Sequence, residues 1–523
     1  MRYWWILCII ALFSIHAPGK SGLKEDVKQC SRSDLGGGER VPYCTRAIES
    51  GGLAADNLAS MYFNRGSAWE EVSQFDKAIT DYGEAIHLNP DFAFAYNNRG
   101  RDWLLKGADD KAIADYNEAI RKKPNFAYAY NGRGTVWAGK GEYDKAIADF
   151  GEAIRIDANY TSAYNGRGNA WRDKGDYGKA IADYDRAILL NPNYANAYNS
   201  RGNAWRDKGE FGKAIADYGE AIRIDPKFAP AYNDRGDALD DKGEYDKAIA
   251  DYSEAIRLNP RYAVAYYNRG NVWRERGESD KAIGDYDESI RIDPLKPGVY
   301  HNRGDAWYAR GEYDKAIADY NEAIRLSPTY ALAFYDRGHA WEQRGEYEKA
   351  IADDSEAIRL DPKYGAAYRT RGALRFGQQN WAAAAEDFAR SHELNGKDAY
   401  SVLWLATAAM RQGSVEWAAR LQQQAGTLSG DWPMPVMKFY LGTLTADQLL
   451  AAAGDPAETK QPGRACETEF FLGEWQLGHG EKQAAIGNLR KAESTCPRTY
   501  LQYRGAVEEL NRLELAMGPA KGN

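Results

Sequence analysis

A chain of 523 residues with 28% charged residues, both signs interspersed, and a net charge of −8 does not suit a protein that binds nucleic acid by neutralising phosphates. No basic block occurs, and no stretch beyond the N-terminus is apolar for long enough to cross a membrane as a helix. Length alone points to three or four globular domains, a prior that gives way where an internal period is present.

The run MRYWWILCIIALFSIHAPGK places one cation, Arg2, before about a dozen mostly apolar residues from Trp4 to Ile15, then small and turn-forming residues. An apolar segment that short reads as a secretory signal peptide or, if uncleaved, an N-terminal anchor, which sets residues 1–20 apart from the fold. Residues 21–58 read as an N-terminal capping segment, in which CTRAIESGGLA is a lone second helix tied down by Cys30.

From Ala59 to Asp398 the chain divides into ten units of 34 residues, for instance ANAYNSRGNAWRDKGEFGKAIADYGEAIRIDPKF from Ala195 to Phe228. With Ala195 as position 1, Tyr198, Gly202 and Trp205 fall at 4, 8 and 11, and Ala214, Tyr218 and Ala221 at 20, 24 and 27. Each trio has the spacing of one helical face. Gly209 at position 15 suits the stop of a first helix, and Pro226 at position 32 stops a second.

This pattern resembles the tetratricopeptide repeat family over about two-thirds of the chain. The resemblance implies an all-α fold, an α-solenoid of antiparallel helix pairs stacked into a right-handed superhelix, with the first helix of each pair lining a concave groove. Residues 399–465 read as degenerate helical repeats. Residues 466–523 read as a further unit of the same kind, with Gly473, Gly480, Ala485, Leu489 and Pro497 in register, and a capping helix from Leu501 to Met517. Weak end units are expected, because a terminal repeat must close an exposed apolar face.

Four cysteines outside the N-terminal run allow three pairings. If the middle is a solenoid whose repeats touch only neighbours, its two ends cannot exchange partners, and Cys30 with Cys44 and Cys466 with Cys496 is the workable scheme. Disulfides and a signal segment together point to a periplasmic or secreted location.

Position 7 carries arginine in every unit, from Arg65, Arg99 and Arg133 through Arg201 to Arg371, and position 23 carries aspartate, from Asp81 and Asp115 through Asp217 to Asp387. If two antiparallel helices turn at position 15, residues whose positions sum to 30 lie level. Arginine and aspartate then meet across the seam within a hairpin, where a bidentate contact is available. The competing reading pairs the aspartate with lysine at position 19, as Asp217 with Lys213, and leaves the arginine head in water.

Catalytic signals are absent: the six histidines form no HExxH, no metal-ligand spacing and no nucleophile pair, so neither metal nor cofactor is expected, and the chain reads as non-enzymatic. His301 and His339 read as solvated groove residues. The inward position 5 carries Asn97, Asn131, Asn165, Asn199 and Asn233, then Tyr267, His301 and Tyr335, and position 9 adds Asn169 and Asn203. An amide both donates and accepts, so such a ladder can hold the backbone of an extended peptide without reading its sequence. The expected function is a protein-interaction scaffold of the bacterial envelope, with a protein or extended peptide as partner, no nucleic acid, and membrane contact only through the N-terminal segment. Alternatives are a polysaccharide-binding or export-associated protein, for which Tyr128, Tyr267, Tyr308 and Tyr335 would stack sugars, or a substrate-recruiting subunit of an envelope enzyme.

Overall fold

The hairpin seam explains most of the architecture. The computed structural model describes residues 20–428, 432–454, 463–497 and 500–517, and among these it contains twenty-nine helices and no strand. The signal segment lies outside the described residues, and no helix among them is long and apolar enough to cross a membrane. Twenty of the helices, α3 (Ala55–Glu71) and α4 (Phe75–Leu88) through α21 (Gly365–Gly377) and α22 (Trp381–Leu394), form ten consecutive hairpins, an all-α solenoid.

Each hairpin closes by shape. Ala214 and Ala221 are fully buried, and a Cβ on Gly202 would stand 2.6 Å from the Tyr218 ring, so glycine at position 8 is what admits the aromatic at position 24. The turn requires the left-handed region: Gly209 has φ of 76°, while in the first and tenth units Ser73 and Gln379 take the same conformation at 58° and 61°. The position-11 tryptophans are half-buried rather than fully enclosed. A lysine from position 19 roofs each exposed ring, as Lys213 does over Trp205 at 4.5 Å and Lys179 over Trp171 at 4.2 Å.

The chain forms two compact bodies, residues 1–260 and 261–523, dividing at the end of the sixth unit. In the first body the N-terminal segment is a helical hairpin, α1 (Lys20–Cys30) and α2 (Gly37–Glu49), rather than a lone helix. Leu23, Val27 and Cys30 make an apolar stripe on α1 that packs with Tyr43, Cys44, Ala47 and Ile48. Cys30 and Cys44 are joined, with Cα atoms 4.8 Å apart.

In the second body the repeat gives way to a larger core. Trp404, on α23 (Ala399–Arg411), stacks on Phe388 with centroids 5.6 Å apart and meets Phe470 and Phe471 from α27 (Gly463–Gly478). Cys466 bonds to Cys496, just beyond α28 (Lys482–Thr495), across the open end of that hairpin. Closing a loop with a sequence separation of 30 residues contributes about 3 kcal/mol. Cys466→Ser with Cys496→Ser is therefore expected to lower the midpoint of the C-terminal transition and to speed limited proteolysis within residues 463–497; an unaltered midpoint and digest would remove that role for the bond. The last helix, α29 (Leu501–Met517), packs on α27, α28 and α21, and Arg504 forms an ion pair with Glu342 of the ninth unit.

One position breaks the aromatic rule. Asp354 stands at position 24 of the ninth unit, fully buried, with neither carboxylate oxygen hydrogen-bonded among the described residues. Burial drives its pKa well above the usual aspartate value.

Candidate functional site

Within each body the first helices of successive hairpins touch one another, which makes them the crowded inner layer and their positions 2, 5, 9 and 12 its open face. The position-7 arginines lie beside this face, in the seam. In all ten units Nε and Nη2 of the arginine donate to the two oxygens of the position-23 aspartate; for Arg99 and Asp115 both bonds are 2.7 Å, and for Arg201 and Asp217 they are 2.8 and 2.6 Å. The guanidinium also lies over the position-4 ring, as Arg201 over Tyr198 at 5.5 Å. Lysine at position 19 goes elsewhere: Lys213 pairs with Glu210 at 3.4 Å.

The inner-face amides are not one uniform ladder. Position 9 is a cap for the buried tyrosine at position 24 of its own hairpin: the Tyr184 hydroxyl donates to Asn169 and that of Tyr218 to Asn203, both at 2.7 Å, and Tyr252, Tyr286 and Tyr320 bond likewise to Asp237, Asn271 and Asp305. Burial holds these phenols far above their ordinary pKa, so they remain donors. Asn169 and Asn203 thus spend their carbonyl oxygens inside the fold, a role the one-helix reading of the groove did not anticipate.

Position 6 of the following unit engages position 5. Asp234 accepts from Asn199 at 2.8 Å, from Asn203 at 3.3 Å and from Asn233 at 3.3 Å. Asn302 donates to the Tyr267 hydroxyl at 3.0 Å, and His301 lies 2.7 Å from Asp336. Tyr335 packs on the rings of His339 at 4.3 Å and Tyr364 at 4.8 Å. His301 is buried, 4% exposed, instead of solvated. Burial, the largest influence on it, disfavours its charged form, but hydrogen bonding to Asp336 and the charges of Asp305 and Asp336 prevail and raise its pKa. His339 belongs to a separate cluster, 3.5 Å from the Thr370 hydroxyl.

The second to fourth units differ. Among the described residues Asn97 donates only to its neighbour Asn98, at 3.1 Å. Asn131 and Asn165 meet Gly166 and Ser200 at the next position 6 in place of a carboxylate; their carbonyl oxygens are shielded from solvent with no partner among the described residues, as is that of Asn199, whose amide nitrogen nonetheless donates to Asp234. Three residues before two of these amides, on the same helical face, stand two exposed rings, Phe94 at 45% and Tyr128 at 63%. They belong to a continuous aromatic strip, Phe94 to Phe126 to Tyr128 to Tyr160, with centroids 4.8, 6.2 and 5.2 Å apart. In the second body, by contrast, α29 covers inner-face groups of the last units, with Arg504 on Glu342 and Arg512 donating to the Gly377 carbonyl at 3.3 Å.

Against known proteins, a family model described as TPR repeat matches residues 138–171, 168–205, 202–241, 236–273 and 304–345, and models described as tetratricopeptide repeat match 263–294 and 63–125. Together these cover half of the chain, which belongs to the tetratricopeptide repeat family. A curated relative, the lipoprotein NlpI homolog of Haemophilus influenzae, is 29% identical over 134 residues, 25% of this chain and 43% of the relative; the match thus spans under half of that protein's length. Among solved structures, MamA is 32% identical with a TM-score of 0.29, covering 31% of this chain and 96% of its own. PilF of Pseudomonas aeruginosa is 21% identical with a TM-score of 0.36, covering 39% and 92%.

Proposed function

We propose that this chain is a non-enzymatic interaction scaffold of the bacterial cell envelope that holds an extended peptide segment of a partner protein on the inner face of its second to fourth units. The observation that carries the reading is the shielded, unpartnered carbonyl oxygens on Asn131 and Asn165, with the exposed ring of Tyr128 three residues before Asn131 and that of Phe94 three before Asn97. An unsatisfied shielded acceptor costs about 1–3 kcal/mol, a cost that a peptide N–H removes on binding. The aromatic strip supplies apolar contact for side chains, and the amides take the main chain. Asn199, Asn233, Tyr267, His301 and Tyr335 act within the fold in this reading, with Asn199, Tyr267 and His301 holding one unit to the next. The envelope location is supported by the two disulfides, by the signal-like N-terminal sequence and by the name of the lipoprotein relative.

Capture of partners from a solubilised envelope fraction by the wild-type chain and by Tyr128→Ala combined with Asn131→Ala and Asn165→Ala tests this. The triple variant is expected to retain its helicity and thermal midpoint while losing at least tenfold in captured partner. Undiminished capture would place the binding face elsewhere, and retention of oligosaccharides instead of protein would favour a sugar ligand for the same rings.

A further inference from the structure

We propose that His301, Asp305 and Asp336 in the second body form a binding site for a divalent transition-metal ion of the zinc class. Residues 301 and 305 are four apart on α17 (Pro297–Ala309) and so share a face, and Asp336 on α19 (Ala331–Gln343) stands opposite. The three ligand atoms lie within 4.8 Å of one another, with His301 Nε2 2.7 Å from Asp336 Oδ2 and 3.8 Å from Asp305 Oδ1. Ligands of a tetrahedral zinc ion bound at about 2.1 Å are about 3.4 Å apart. The His301–Asp336 pair must open and the His301–Asp305 pair close by under an ångström, and the two carboxylate oxygens, no more than 4.8 Å apart, must close by up to about 1.4 Å, shifts that side-chain rotations supply. One imidazole with two carboxylates is a donor set that suits zinc and its neighbours and leaves a tetrahedral ion one position for water or another ligand.

The surrounding groups orient the ligands. The Asn302 side-chain oxygen lies 3.2 Å from His301 Nδ1 and can accept a hydrogen bond from Nδ1–H, the tautomer that leaves Nε2 bare toward the carboxylates. The Tyr320 hydroxyl donates to Asp305 Oδ1 at 3.0 Å and Arg274 to its Oδ2 at 2.6 Å, and the His301 ring sits between Tyr320 and Tyr330. These are the outer partners that hold ligating side chains in place.

The other units act as internal controls. Where the equivalent positions are Asn199, Asn203 and Asp234, two amides donate to the single carboxylate and the charge is met by hydrogen bonds. At His301 no amide is present: a single ring nitrogen faces Asp336 and Asp305, and although Arg274 and Tyr320 hold Asp305, a divalent ion can take one oxygen of each carboxylate together with the ring nitrogen. The proposal does not rest on the peptide reading, which concerns the first body.

The test uses the full chain, free of affinity tags and stripped with chelator, titrated with zinc by calorimetry and with cobalt(II) by visible absorption at pH 7.5. One high-affinity equivalent is expected, with a four- or five-coordinate cobalt spectrum. His301→Asn, which installs the residue found at this position in the second to sixth units, and separately Asp336→Asn should each weaken that equivalent at least tenfold with far-UV circular dichroism unchanged. Absence of a stoichiometric equivalent, or the same affinity in folded His301→Asn, overturns the assignment and leaves a protonated histidine paired with Asp336.

Discussion

Arg201→Ala is expected to destabilise the fifth unit by about 3 kcal/mol, against less than about 1 kcal/mol for Lys213→Ala. Asp217 is buried, and loss of its bidentate partner leaves a carboxylate with neither water nor a counter-charge, the circumstance in which breaking a pair costs about 3–5 kcal/mol. Arg201 is itself about a fifth exposed, which places the expectation at the low end of that range. It also reaches Asp185 of the preceding unit at 2.6 Å, so the substitution loosens two hairpins. Lys213 is 56% exposed and contributes an i,i+3 pair and a contact over Trp205, both of the weak surface kind. Repeat arrays need not unfold in one step, so the measurement is a denaturant midpoint together with amide hydrogen exchange resolved over residues 195–228. Arg201→Lys should fall between the two, since it keeps the charge and loses the fork. Equal small shifts for Arg201→Ala and Lys213→Ala would mean that the arginine is solvated and the seam is held by packing alone.

That seam shows which parts of the fold can be read from residues. A period of 34 with a turn at position 15 makes the partner of position 7 a matter of counting, and the counted partner is the one at hydrogen-bond distance. The position-9 cap on the position-24 tyrosine was equally legible. In the fourth to eighth units Asn169, Asn203, Asp237, Asn271 and Asp305 accompany tyrosines, while Thr135 accompanies Phe150 and Ala373 accompanies Phe388, which have no hydroxyl to cap; Ser67 with Tyr82 and Arg101 with Tyr116 depart from the rule. Treating position 9 only as a groove position concealed the correlation. The bonds from position 6 to the previous unit's position 5 were harder to foresee. They depend on the offset between stacked hairpins, which no spacing within one unit reveals, and which sets the Asn199 amide nitrogen against Asp234 but Asn131 against Gly166, while the side-chain oxygens of both stay without a partner among the described residues. The His301 cluster was missed for the same reason, because Asp336 is remote from it in the period and adjacent only after stacking. Helix α1 escaped because it directly follows the signal-like run, where its apolar stripe of Leu23, Val27 and Cys30 is short.

Asp102→Ala is expected to stabilise the chain, and by an amount that grows with pH. Asp102 occupies position 10 of the second unit, where Ala68, Ala170, Ala204 and Ala238 stand in other units of the same body, so alanine fits the site. The aspartate is 0% exposed, and neither of its oxygens has a hydrogen-bond partner among the described residues. Burial and then the adjacent charge of Glu70 push its carboxyl up to about 8, with Arg101 pulling the other way. The folded state therefore holds a proton that the unfolded chain releases near the ordinary aspartate value, and stability must fall as pH rises between those two points. Each pH unit of that window is worth about 1.4 kcal/mol at most, and less once the pair relaxes and admits water, which gives an advantage for Asp102→Ala of about 3–4 kcal/mol at pH 8 and under about 1 kcal/mol near pH 4.5. Acidic groups remote from this site titrate alike in both proteins, so the difference between their denaturant midpoints, followed from pH 4.5 to 8.5, isolates the surroundings of Asp102. A difference that does not change with pH would mean that Asp102 is ionised throughout and that Arg101, already paired with Glu70, neutralises both carboxylates.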